Sequence, residues 1–124
     1  MSIDLSKIKA RELPKKTVKV NILGTEQEQE ITVLTGENRI RTWSLDFSVN
    51  ADESTVKRVK ICLEAGAKLP EKDVDLLIEL DWDAAVQLAG DVLAFTREFD
   101  GEITAAKASA EKNLQADVST ATAG

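Results

Sequence analysis

Between Leu69 and Phe99 apolar side chains recur at helical spacing in two runs. Val74, Leu77 and Ile78 stand at i, i+3 and i+4, one apolar stripe on a helix. Trp82, Ala85, Val86, Ala89, Val92, Leu93 and Phe99 carry the rhythm on past a joint at Leu80-Asp81. Pro70 suits a first helical turn, where its missing N–H has no partner to lose. Glu71 and Asp73 set negative charge against the positive end of the helix dipole. Asp81 is a good N-cap, able to accept from free backbone N–H groups. The stretch reads as helices over 70–80 and 81–99, an amphipathic helical hairpin whose stripes need a partner surface.

The remaining elements are placed against that pair. Lys16 to Ile22 alternates, with Val18, Val20 and Ile22 on one face, and predicts a half-buried strand. Leu23-Gly24-Thr25 supplies a turn. Gln29 to Leu34 alternates again through Ile31 and Val33, leaving the polar TEQEQ as a long loop. An isolated two-stranded hairpin is marginal in water, so this one must pack on helices. Residues 37–49 carry two periods. Ile40, Trp43 and Phe47 make a helical stripe, whereas Trp43, Leu45, Phe47 and Val49 alternate as a strand does, and periodicity leaves both open. Asp52 or Ser54 can cap a helix over 54–66 that carries Val56, Val59 and Leu63 on one face. Gly66 is placed as its left-handed C-terminal residue. Residues 1–15, with scattered Ile3, Leu5, Ile8 and Leu13, read as a flexible arm. Asp100-Gly101 reads as a break, and 105–124 as a frayed helix running into a disordered tail. The expected fold is α+β and mainly helical. Its one globular domain spans 16–104, an N-terminal β-hairpin packed on a small bundle of three to four helices, with a flexible C-terminal tail.

Composition narrows the function. With 124 residues one domain is expected, burying roughly two-thirds of the unfolded surface. The net charge of −6 makes nucleic acid an unsuitable partner. No apolar run approaches the roughly 20 residues that span a membrane, and the first residues lack the apolar core of a secretory signal. The chain has no histidine, which removes Ser-His-Asp and Cys-His sites and most zinc sites. The single cysteine, Cys62, forms no intrachain disulfide and reads as a small helix residue near an apolar face. The pairs Asp73/Asp75 and Asp81/Asp83 lack the glycine and distal glutamate of a calcium loop and read as helix-start charge. Trp43, Phe47 and Trp82 read as core anchors, with an interface role as the alternative. No catalytic, cofactor or metal site is expected, and no enzyme. Charge is uneven along the chain. Residues 1–20 hold six basic and two acidic side chains, a balance of +4, and residues 71–102 hold ten acids and two bases, a balance of −8. Solvated faces explain this most simply. Complementary ends also favour head-to-tail self-association, which gives open spirals when the rotation does not close.

The order of the pieces carries a resemblance: LPKKTVKV, a short hairpin, STVKRVKICLEAG, then LPEKDVDLLIELDWDAAVQLAGDVLAF and an AEKN tail. This layout, over roughly residues 13–113, resembles the tail assembly chaperones of long-tailed (lambda-like) bacteriophages and prophages. Its most specific part is Leu80-Asp81-Trp82-Asp83-Ala84-Ala85, a helix start followed by an alanine-rich apolar helix. The family favours a helix where residues 40–49 alternate. The resemblance implies a mainly helical, self-associating module of the host bacterial cytoplasm. Such a module coats the helical tape-measure protein while a tail is built, and leaves as tail tube protein polymerises. Two striped helices and a hairpin carry more apolar surface than a chain this size easily hides, so Val74, Leu77, Ile78, Trp82, Val86 and Val92 are expected to border apolar grooves that meet a neighbouring subunit or the tape measure. A structural tail-completion or head–tail joining protein, or a small acidic adaptor, is the alternative.

Overall fold

A computed structural model describes residues 13–45, 48 and 51–123, the last twelve in backbone alone. The expected arm, Phe47 and Val49 therefore lie largely or wholly outside the described residues. The chain opens on an antiparallel hairpin, β1 (Lys15–Ile22) and β2 (Thr25–Thr32), with Ile22 opposite Thr25 and Lys15 opposite Thr32. Only Leu23 (φ 51°) and Gly24 (φ 88°) form the turn. Two successive left-handed residues match the twist of paired strands. TEQEQ is thus strand, not loop. The alternation is hidden there because Gln27 and Gln29 take inward positions opposite Val20 and Val18. Gln29 donates from Nε2 to the Ala67 carbonyl at 2.9 Å, so an inward amide ties the sheet to the helical layer.

Helix α1 (Gly36–Trp43) follows, so the 37–49 stretch begins as helix. Thr42 is wholly buried on it, donating to the Asn38 carbonyl at 2.9 Å, while its own carbonyl accepts from Arg58 Nη2 at 3.2 Å. Ile40 and Trp43 point to solvent instead, 66% and 43% exposed. Helix α2 (Ala51–Ile61) starts three residues before the expected 54, so Asp52 and Glu53 sit in its first turn rather than ahead of it. It widens into a π-helical turn, Cys62–Gly66. There the Ala67 N–H reaches back five residues to the Cys62 carbonyl at 3.2 Å, and Leu69 donates to Leu63 at 3.1 Å. The left-handed residue at this end is Lys68 (φ 57°), not Gly66. Gly66 is small for another reason. A Cβ there would lie 2.3 Å from Cγ1 of Val92.

Helix α3 (Glu71–Leu80) and helix α4 (Trp82–Ala123) form the predicted pair. The expected break at Asp100-Gly101 is absent, and the stretch read as tail continues the same helix. One interior glycine costs only about 1 kcal/mol, and the Arg39 guanidinium pairs with Asp100 beside it. At 42 residues α4 is roughly 63 Å long. Its first half packs, through Ala84, Ala85, Leu88, Ala89, Val92 and Thr96, whereas residues 104–111 are all exposed. The core gathers Ile31 and Leu34 from the hairpin side, Val59, Cys62 and Leu63 from α2 and its turn, Val74 from α3, and Leu88 and Val92 from α4. Thr96 is a buried polar tie within it: its hydroxyl accepts from the Leu34 N–H at 3.0 Å and donates to the Val92 carbonyl at 2.8 Å.

Candidate functional site: an apolar groove at the hairpin tip

Asp81 joins the two layers. One carboxylate oxygen caps α4, accepting from the Ala84 N–H at 3.2 Å, as an N-cap residue should. The other accepts from the Leu23 N–H at 2.8 Å. Leucine is a poor choice for φ 51°, because its Cβ crowds the following carbonyl. The bond from Asp81 helps hold that turn against the α3–α4 joint.

The consequence is a groove of about 380 Å³ between the hairpin tip and α3. Its walls are Val20, Ile22 and Leu23 on one side and Leu69, Leu76, Leu77 and Leu80 on the other, with Leu88 also lining it. Glu28 and Asp73 give its lining two carboxylates. Leu23, Leu76 and Leu80 are 65%, 53% and 54% exposed, a concentration of large apolar side chains in one place. Such a leucine-walled cleft with a few polar groups is the form that binding sites for apolar ligands or helix faces take.

The residues expected at an interaction surface divide. Val74 and Val92 are wholly buried, and their stripe faces the chain's own core. Leu77 and Ile78 are half-buried at the edge of that core, and Leu77 lines the groove. Trp82 and Val86, one turn apart on α4, are exposed, and Trp43 is exposed on α1, so neither tryptophan is a core anchor. Leu23, Leu76 and Leu80 were not anticipated. Leu76 and Leu80 stand four apart, which puts them on one helix face beside the Val74–Leu77–Ile78 stripe, and that spacing was their available signal.

Among the described residues, two titratable groups are shifted from their ordinary values by burial. Burial pushes the Cys62 thiol up to about 12, against the opposing pull of the nearby Arg58 charge, so it stays protonated and inert at neutral pH. Burial also raises the Asp91 carboxyl above its ordinary range, partly offset by the Lys16 ammonium. Lys16 lies over the Phe95 ring, 5.8 Å from its centre. Among the described residues no group of acids and cysteine is placed to hold a metal ion, and no helix is long and apolar enough to cross a membrane. Compared with family models, curated proteins and solved structures, the chain has no significant match to any.

Proposed function

We propose that the chain is a non-enzymatic tail assembly chaperone of a long-tailed bacteriophage or prophage, working in the host bacterial cytoplasm. Its client is the helical tape-measure protein, released as tail tube protein is recruited. The observation that supports this reading is the open, leucine-walled groove at the hairpin tip, set in an acidic chain. A groove of this kind takes the apolar stripe of an amphipathic helix. Many weak sites repeated along a long client gain from avidity and release in sequence, which one tight pocket does not allow. Self-association, head to tail along the client, supplies that repetition.

The test pairs gene order with binding. The DNA just downstream should encode a long coiled-coil protein. Fragments of that protein should stay soluble when co-expressed with the wild-type chain, and should precipitate with the double variant Leu76→Asp/Leu80→Asp. Recovery of the chain in finished particles, or equal protection by both forms, overturns the reading. The first outcome points to a structural tail component instead.

A further inference from the structure

The groove beside α3 has two unlike ends. The hairpin is tied to the helical layer at both ends of that helix. At one end the Leu23 N–H donates to Asp81, just past the last turn, and at the other Gln29 Nε2 donates to the Ala67 carbonyl, just ahead of the first. The cleft between runs along α3, whose ten residues span roughly 15 Å. Leu23 and Leu80 mark the end at the hairpin turn, and Leu76, about one helical turn back, is exposed like them. Leu69 and Asp73, four residues apart, mark the other end, with Glu28 and Gln29 of β2 on the opposite wall.

The charge at this second end is uncompensated. Glu28 and Asp73 are the charged side chains among the described lining residues, and both are exposed. Neither has an ion pair among the described residues. Lys19, opposite Glu28 across the hairpin, reaches Glu26 instead, and only at 4.0 Å. Lys60 pairs with Asp75. From Glu71 to Asp83 six acids meet one base, Lys72. Apolar walls beside unpaired carboxylates concentrate their field and strengthen the pull on a cation.

We infer that the groove takes a short amphipathic helix of about three turns whose lysines or arginines are gathered in one end turn. The apolar stripe of that helix lies on Leu23, Leu76 and Leu80, and its basic end lies between Glu28 and Asp73. The stripe answers the leucines, as in other helix-in-groove contacts. The basic end answers the two carboxylates. A helix with an acidic end would set like charges together with no base in the described lining to relieve them, so the same carboxylates also reject. The inference rests on the reading of the groove as the site of a client helix, and adds the charge and polarity that the client segment must have.

Calorimetric titration of the full-length chain with two synthetic helical peptides tests it. Both peptides carry the same leucine stripe; one ends in a turn of lysines, the other in a turn of glutamates. The lysine peptide should bind at least about fivefold more tightly at about 50 mM salt, and the gap should shrink at about 0.5 M. Glu28→Lys/Asp73→Lys should reverse the preference. Glu102→Lys/Glu111→Lys, the same change of net charge on the exposed outer part of α4, should keep it. Leu76→Asp/Leu80→Asp should weaken the lysine peptide although it adds two acids. Equal affinity for the two peptides, or a preference that survives Glu28→Lys/Asp73→Lys, overturns the inference and leaves the groove as a binding site. Binding of neither peptide overturns both the inference and the client reading. Peptide affinity that falls as the protein is concentrated assigns the groove to a second copy and overturns the inference as well.

Discussion

The two apolar faces of the α3–α4 pair have similar chemistry and opposite fates. Val74, Ala85, Leu88, Ala89 and Val92 are shut into the core, whereas Leu76, Leu80, Trp82 and Val86 remain open to solvent. The difference lies in what stands opposite. The inner face meets the π-helical turn, and Gly66 lets that turn come close enough to touch Val92. The outer face meets the tip of a two-stranded hairpin across the groove, which leaves Leu76 and Leu80 uncovered. Helical spacing therefore marks a surface that wants covering; the neighbour decides whether the chain covers it itself.

The largest break of this contrast is Val92→Asp. An unpaired carboxylate at a site of 0% exposure leaves a buried charge without a partner, a change of the kind that costs more than about 4 kcal/mol. The variant should be unfolded by far-UV circular dichroism at room temperature. Gly66→Ala comes next. The new Cβ meets both Val92 methyl groups, and overpacking of this sort costs about 1–3 kcal/mol in urea unfolding. Because the clash is with one side chain, Val92→Ala should recover part of it. The double variant should then be more stable than the sum of the singles predicts. On the open face the expectation reverses. Leu76→Asp/Leu80→Asp removes apolar groups that are already more than half in water, so each change should shift stability by no more than about 1 kcal/mol. Loss of folding in that variant would show that the outer face is core after all.

Much of this was legible in the residues. The hairpin, the helix pair and the Asp81 cap follow from alternation, spacing and capping chemistry, and the α+β, mainly helical fold follows with them. The second strand was not fully legible, because Gln27 and Gln29 take inward positions and erase the alternation that marks a buried face. The extent of α4 was missed because Asp100-Gly101 carries a local stop signal that a 42-residue helix overrides at small cost. The role of Gly66 was misread for a related reason. Glycine serves both positive φ and close approach, and only the position of Val92 separates the two. Of the residues expected to bind, Val74 and Val92 were assigned by periodicity alone, which carries no information on which stripe a hairpin will cover. Leu23 was beyond reach from the sequence, since its place beside the α3–α4 joint involves a bond to Asp81, 58 residues away.

Asp91 gives the finest probe of the boundary between the two faces, because it sits half-buried on α4 where the hairpin's Lys16 reaches it. Its carboxyl is held above the ordinary value by burial, with Lys16 pulling the other way. The folded state thus binds this proton more tightly than the unfolded chain does. The contribution to stability is fully present below the unfolded pKa, near about 3.9, and is lost as pH rises through the higher folded value. Asp91→Asn removes the titration and little else. The stability of the variant relative to wild type, from urea midpoints at a series of pH values, should rise between pH 3 and neutrality and then level off. All other carboxylates cancel in that difference. Lys16→Ala in the wild-type background should move the rise to higher pH, because the ammonium is what holds the shift down. A difference that falls with pH instead would mean that the Lys16 attraction outweighs burial, and that the hairpin grips α4 more closely at this point than the geometry indicates.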